Sequence, residues 1–201
     1  MTIDIDETKV KQNEFSLWAG WTLATAFGLL IGYLPLAFLV GWIDLGIARV
    51  IVPIITGVLL GLAQWLVLRP FVTQARDWIL HHAVGWVVGF TLGMFVVQLL
   101  SKTPVGMLFG YICFGLIVAL FQFPILRREI PHLTTWILAN IIGWTFGAYL
   151  SQLAAGIFFQ NVLPTRFMSV LVSVGITGLV AGAFTALALI WIVRQPDRLA
   201  K

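Results

Sequence analysis

Six polar side chains lie toward the cytoplasmic ends of apolar segments, and they are the residues best able to do chemistry in this chain. They are Gln64, His81, His82, Gln122, Asn140 and Thr185. Amides, imidazoles and hydroxyls donate and accept hydrogen bonds. Inside a membrane such groups either join neighbouring helices or form a site for a ligand.

We favour the first of these roles, a hydrogen-bonded layer that joins the helices, for Gln64, His82, Gln122, Asn140 and Thr185. One alternative is a shallow site made of the same residues and open to the cytoplasm. A second is a haem or chlorophyll ligand at His81 or His82. The second alternative lacks an axial partner at the same depth, because His132 falls in a loop.

The sequence lacks the groups that most enzymes and ion pathways require. The apolar segments contain neither Asp nor Glu, and there is no Gly-rich phosphate loop, zinc signature or Ser nucleophile elbow. Cys113 is the single cysteine, which excludes an intramolecular disulfide. We therefore predict a protein that is not an enzyme, with no catalytic residues, no metal and no cofactor. Scattered basic residues that form no stripe argue against nucleic acid as a partner.

The composition is that of a membrane protein, with 60% hydrophobic and 10% charged residues. Six apolar segments are each near the ~20 residues that cross a bilayer as a helix. They lie at about 15–40, 48–68, 78–100, 105–126, 136–160 and 168–193. We predict an all-α polytopic membrane protein in which residues 15–194 form one six-helix domain. Residues 1–14 form a cytoplasmic lead, and residues 195–201 form a cytoplasmic tail.

The segments repeat one another. Gly57, Gly61, Gln64 and Arg69 recur 58 residues later as Gly115, Ala119, Gln122 and Arg127. Trp78-Ile-Leu likewise matches Trp136-Ile-Leu, and the last segment carries a weaker copy that ends in Thr185. In the first segment, Gly20-Trp21 is aligned with Gly143-Trp144. This pattern predicts three related helical hairpins in a pseudo-threefold bundle.

Small residues recur at helical spacing within the repeat, and we predict that they are helix-packing surfaces. They are Gly57, Gly61, Gly85, Gly89, Gly143, Gly147, Gly178 and Gly182. Such positions let helix backbones approach closely in lipid, where no hydrophobic force draws helices together. The alternative is a conduit or groove lined by exposed backbone.

Charged and aromatic residues near the segment ends predict how the helices sit in the membrane. Arg69 and Arg127 are interpreted as anchors at the cytoplasmic ends of their helices, with recognition of an anionic lipid or a partner as the alternative. Five tryptophans near segment ends are assigned to the aromatic belt, namely Trp18, Trp42, Trp78, Trp136 and Trp191. Trp86 and Trp144 lie deeper and are expected to pack between hairpins.

The repeated motifs resemble those of a family of uncharacterised six-helix bacterial membrane proteins of the cyanobacterial type. The resemblance rests on Gly-x3-Gly-x2-Gln64-Trp-x2-Leu-Arg69 and on Trp78-Ile-Leu-x4-Gly85-Trp86-x2-Gly89, and it covers the second to fifth segments. It implies a location in the cytoplasmic or an internal bacterial membrane, and it implies no activity. At the level of architecture, three hairpins also resemble the mitochondrial carriers, but their Pro-x-acidic-x-x-basic signature is absent from the odd segments.

These features favour a non-enzymatic structural or interaction subunit. Its partners would be the lipid bilayer and either another membrane protein or further copies of the same chain. The alternative is a transporter of a small solute or lipid, with a pathway between the three hairpins.

Reporter fusions test the predicted orientation. The side that includes both termini carries nine Lys and Arg residues, and the other side carries Arg49, Lys102 and Arg166. Because basic residues are retained on the cytoplasmic side, fusions at Lys201 and Lys102 should report the cytoplasm and the opposite compartment, respectively. A non-cytoplasmic signal at Lys201 would overturn the orientation.

Overall fold

The computed structural model describes residues 7–39, 45–70, 75–127, 133–161 and 166–193, and this part of the chain is helical with short turns. Its helices are α1 (Glu7–Leu39), α2 (Leu45–Leu68), α3 (Ala75–Leu99), α4 (Pro104–Leu126), α5 (Leu133–Asn161) and α6 (Arg166–Val193). Each contains a stretch long and apolar enough to cross a membrane. The all-α class and the multi-pass membrane character are thereby confirmed.

The helix bounds depart from the prediction mainly at the amino terminus. Helix α1 begins at Glu7, inside the segment predicted as a lead, although its candidate membrane span begins at Glu14. Pro35 and Pro124 lie within α1 and α4, and neither ends its helix. The predicted tail 195–201, His132, Trp42 and parts of the loops lie outside the described residues.

The distribution of side chains is that of a bundle in lipid. Large apolar side chains such as Phe27, Leu66, Leu80 and Phe146 are exposed on the outside. The buried side chains include ten polar ones, among them Thr25, Gln64, His82, Gln122 and Asn140. An apolar exterior around a polar interior buries hydrogen-bonding groups with one another and leaves hydrocarbon to meet the lipid.

The helices form a closed ring. Each helix packs extensively on its neighbours in the chain, and α6 packs on α1. Among the described residues, all extensive packing is between ring neighbours. The three odd helices therefore alternate with the three even helices around a common axis, and a side chain that points inward from one odd helix can meet those from the other two.

Glycine sets the spacing at every interface of the ring. A Cβ at Gly57 would lie 2.9 Å from the Ala83 Cα, and one at Gly178 would lie 2.7 Å from the Ala26 Cα. All eight glycines predicted to pack lie at such interfaces, where a Cβ would come within 3.2 Å of the adjacent helix. Gly28, Gly32 and Gly110 make equally close contacts that were not predicted from the sequence.

The turn between α3 and α4 is fully described and shows how one hairpin reverses. Ser101 and Lys102 have positive φ angles of 57° and 56°, and their N–H groups donate to the Gln98 and Val97 carbonyls at the end of α3. Thr103 then caps α4, since its Oγ1 accepts a hydrogen bond from the Gly106 N–H at 3.1 Å. Pro104 follows at the first turn of α4, where the missing N–H costs little.

A pair of glycine substitutions tests the closure of the ring. Gly178→Ala places a methyl group against the α1 backbone, so we expect the free energy of unfolding in detergent to fall by about 1–3 kcal/mol. Gly156→Ala is the matched control, because a Cβ there meets nothing within 4 Å. The control should be neutral or stabilising by up to ~1 kcal/mol through helix propensity. Equal stability of the two variants in denaturant titrations would contradict close packing of α6 on α1.

Candidate functional site

Three tryptophans, one from each odd helix, meet at the axis of the ring. Trp21, Trp78 and Trp136 have ring centroids 5.7–6.1 Å apart and planes inclined at 70–71°. This is the edge-to-face geometry that aromatic pairs prefer. All three side chains are fully buried. We call this group the tryptophan triangle, and it fills the centre of the bundle.

Two sequence predictions are wrong at this point. Trp78 and Trp136 do not belong to an interfacial aromatic belt, because the interior supplies an acceptor for each indole N–H. The alignment of Trp21 with Trp144 is also incorrect, since Trp21 lies beside Trp78 and Trp136. Trp144 belongs to a second cluster about two turns further along the odd helices.

Each indole of the triangle donates its N–H to the preceding even helix around the ring. Trp78 Nε1 donates to Gln64 Oε1 at 3.2 Å, and Trp136 Nε1 donates to Gln122 Oε1 at 2.9 Å. Trp21 Nε1 donates to Thr185 Oγ1 at 2.8 Å. An indole N–H thus donates to a polar side chain at three of the six helix interfaces, and these hydrogen bonds stabilise the ring around its axis.

The two glutamine amides extend the network to the other neighbouring helix. Because each Oε1 accepts from an indole, each Nε2 is left to donate. Gln64 Nε2 donates to Thr25 Oγ1 at 3.1 Å, and Thr25 Oγ1 donates to the Trp21 carbonyl at 2.9 Å. Gln122 Nε2 donates to His82 Nδ1 at 2.7 Å. Each glutamine therefore bridges the odd helices on both sides of its own helix.

The amide orientation also fixes the state of His82. Its Nδ1 must accept from Gln122, which places the proton of the neutral ring on Nε2. The imidazole lies between the rings of Trp78 and Trp86, at centroid distances of 6.1 and 5.9 Å. Nε2 is buried and has no hydrogen-bond partner among the described residues. His82 is therefore a neutral structural element, enclosed by aromatic rings on both faces.

The network is incomplete at α6. Thr185 is too short to bridge as the glutamines do, and its hydroxyl donates to the Ala181 carbonyl of its own helix at 2.7 Å. Asn140, which occupies the place of Thr25 and His82 on α5, turns to other partners. Its Nδ2 donates to the Trp136 carbonyl, and its Oδ1 accepts from Trp144 Nε1. The interface of α5 with α6 thus lacks the bridge present between α1 and α2 and between α3 and α4.

The structure brings all five residues of the predicted layer into this network, with side chains 0–4% exposed. Thr25 and the tryptophan triangle also belong to this network, although the sequence did not predict it. His81 points elsewhere, and its Nδ1 lies 2.9 Å from the Asp77 carbonyl on the outside of α3. Arg69 and Arg127 lie exposed at the ends of α2 and α4, and the Arg69 guanidinium sits 5.9 Å from the Trp65 ring.

A second aromatic cluster lies next to the layer. Trp86, Phe114 and Trp144 meet edge to face, with centroids 4.9–5.4 Å apart. Trp86 stacks on His82, and Trp144 donates to Asn140, so two members of the cluster also contact the polar layer. Leu29 of α1 is buried in the same cluster.

Beyond this cluster the helices line a partly open cavity of about 220 Å³. It lies toward the ends at which α1, α3 and α5 finish. It is lined by Leu29, Tyr33, Trp86, Phe90, Gly93, Met94, Val97, Gly110, Tyr111, Phe114, Trp144, Ala148, Ser151, Ser173, Val174 and Thr177. The lining includes six aromatic side chains and five hydroxyls, and none of these residues is ionisable near neutral pH.

The lining hydroxyls are partly engaged. Ser151 donates to the Ala148 carbonyl, and Thr177 donates to the Ser173 carbonyl. Tyr111 accepts a hydrogen bond from Gln152 Nε2 at 2.6 Å. The described residues contain no cluster of His, Cys, Asp or Glu that could hold a metal. The polar layer is suited to packing helices together, and the cavity is suited to a neutral molecule. The described residues of the layer and the cavity offer no pair of groups for acid–base chemistry.

Replacement of Gln122 tests whether the layer stabilises the ring. Gln122→Met keeps the side-chain length but leaves the Trp136 N–H and His82 Nδ1 without their partner. We expect a loss of about 1–3 kcal/mol in the free energy of unfolding. Gln98→Met, on the exposed side of α3, is the control and should change stability by less than ~0.5 kcal/mol. Similar denaturation midpoints for both variants would show that the layer adds nothing.

No family model, curated protein or solved structure matches this chain. The functional interpretation therefore depends on the residues and geometry described above.

Proposed function

We propose that the protein is a non-enzymatic integral membrane protein that acts as a structural or interaction subunit. The observation that carries this proposal is the closed centre of the ring. The tryptophan triangle occupies the axis, and Gln64, Gln122 and Thr185 are each less than 5% exposed. A buried layer in which the glutamine, indole and threonine groups are paired with one another favours a packed bundle over a pathway for water or ions.

The proposed architecture is three related hairpins around a pseudo-threefold axis. Three parallel indole hydrogen bonds and the mutual contacts of the triangle support it. With Trp21, Trp78 and Trp136 as equivalents, Gly28 corresponds to Gly85 and Gly143. The same offset then relates Gly32 to Gly89 and Gly147, which supports a common origin of the three hairpins.

The proposed contact surface is the basic, cytoplasmic side of a bacterial cytoplasmic or internal membrane. It comprises loops 69–77 and 127–135, whose first residues, Arg69 and Arg127, are exposed. The excess of Lys and Arg on this side supports the orientation. A membrane-protein partner or a second copy of the chain would meet the bundle there.

A second candidate function is transport of a small solute or lipid. The cavity favours it, because an open space on one side of a sealed layer is what a carrier shows in one of its two states. Transport would require the tryptophan triangle to separate. Because the bridge between α5 and α6 is missing, separating these helices would break no hydrogen bond of the polar layer among the described residues, while Thr177 Oγ1 donates to the Gly147 carbonyl at 3.4 Å across the same interface.

Cysteine labelling separates the two candidates. In a Cys113→Ala background, Thr185→Cys is a near-isosteric probe of the layer, and Ser173→Cys probes the cavity on the same helix. With a membrane-impermeant maleimide, we expect Ser173→Cys to react and Thr185→Cys to stay unlabelled until the protein is denatured. Gln64→Cys and Gln122→Cys extend the test to the other two interfaces. Labelling of the native layer at a rate similar to that of Ser173→Cys would favour the carrier.

A further inference from the structure

We propose that the cavity is a binding site for a small neutral molecule of one or two rings that carries a carbonyl or ether oxygen. The inference rests on the cavity and is independent of whether the protein transports its ligand. Three properties of the lining define this class of ligand: its volume, its lack of charge and the position of its hydroxyls.

The volume sets the size of the ligand. An apolar cavity of roughly 150 Å³ holds one benzene ring. The cavity of about 220 Å³ therefore has room for a molecule of one or two rings. Because the cavity is partly open, this volume limits the part of the ligand that enters it. Gly93 and Gly110 hold α3 and α4 in close contact at its wall, since a Cβ at Gly93 would lie 2.8 Å from the Gly110 carbonyl oxygen.

The lack of charge excludes ionic ligands. None of the lining residues carries a charge near neutral pH. A carboxylate or an ammonium group placed there would lose its hydration without gaining a counter-ion, which is strongly unfavourable. A neutral ring, in contrast, meets aromatic edges and faces at the wall formed by Trp86, Phe114 and Trp144.

The position of the hydroxyls calls for an acceptor on the ligand. The Tyr111 oxygen already accepts from Gln152 Nε2 at 2.6 Å, so the phenol is oriented and its own O–H remains available to donate. Tyr33 lines the same cavity and supplies a second phenol. A carbonyl or ether oxygen on the ligand can accept a hydrogen bond from these hydroxyls, and it carries no proton of its own to donate.

The wall is held in place before any ligand arrives. Trp86 is fixed by its stack on His82 and its edge contact with Trp144. Trp144 is in turn held by its hydrogen bond to Asn140. The polar layer thus orients the aromatic rings of the site, which lowers the ordering cost of binding.

Equilibrium dialysis of the full-length protein in lipid nanodiscs tests the site with three probes of matched shape. They are acetylnaphthalene, which is neutral with a carbonyl, ethylnaphthalene, which lacks the acceptor, and naphthoate, which is charged. We expect acetylnaphthalene to bind saturably, at one molecule per chain above the partition into empty nanodiscs. Ethylnaphthalene should bind about tenfold more weakly, because one hydrogen bond is lost. Naphthoate should not bind.

Three phenylalanine variants then locate the interaction. Tyr111→Phe removes only the hydroxyl and should weaken acetylnaphthalene binding about tenfold, to the level of ethylnaphthalene. Tyr149→Phe is the matched control on the exposed face of α5 and should leave binding unchanged. Ser173→Phe fills the cavity and should abolish saturable binding, with folding of each variant checked by its denaturation midpoint.

Other results would overturn the proposal. Saturable binding that persists in folded Ser173→Phe would place the probe outside the cavity. Equal affinity for acetylnaphthalene and ethylnaphthalene, or tighter binding of naphthoate, would refute the neutral acceptor as the recognised group. These outcomes are separable from the cysteine test of the proposed function, since Thr185→Cys reports on the layer and not on the cavity.

Discussion

The burial of three indole N–H groups at the axis of the ring is the constraint from which the rest of the structure follows. Hydrocarbon supplies no hydrogen-bond partner, so each donor needs an acceptor within the protein. Gln64, Gln122 and Thr185 supply the three acceptors. The acceptors fix the rotation of α2, α4 and α6 about their own axes, because a rotated helix would leave both members of a pair unsatisfied.

Close backbone approach is what makes those hydrogen bonds geometrically possible. A glutamine reaches the axis and an indole of the next helix only if the helices lie nearly in contact, and Gly57 and Gly61 provide this for α2 and α3. The glycines and the polar layer are therefore two parts of one device. In lipid no hydrophobic force draws the helices together, so close packing at the glycines and hydrogen bonds in the polar layer are both needed. This explains why the glycines and the polar residues recur at the same spacing in the sequence.

Much of this device could be predicted from the sequence, and the omissions have physical reasons. The offset between Gln64 and Gln122 indicated the even helices, and helical spacing indicated the glycines. Position near a segment end suggested an interfacial role for Trp78 and Trp136, because one-dimensional depth does not distinguish the axis of a ring from its rim. Thr25 was missed for a related reason, since threonine within a membrane helix commonly bonds to its own backbone. The cavity depends on the packing of five helices and has no local signature.

The helix pair α5 and α6 differs from the pairs α1–α2 and α3–α4 in the hydrogen bonds of the polar layer, and the differences lie on one side of the ring. Where α2 and α4 carry glutamine, α6 carries Thr185, and Asn140 satisfies itself on α5 and on Trp144 instead of reaching across. Trp144 is thereby held in the wall of the cavity, a position that a bridging Asn140 would not have secured. If the layer had the same bridge in all three helix pairs, the Asn140 amide would bond to α6 and would not be available to Trp144. The asymmetry therefore links the interface that lacks a bridge in the polar layer to the orientation of the aromatic wall, and Asn140 takes part in both.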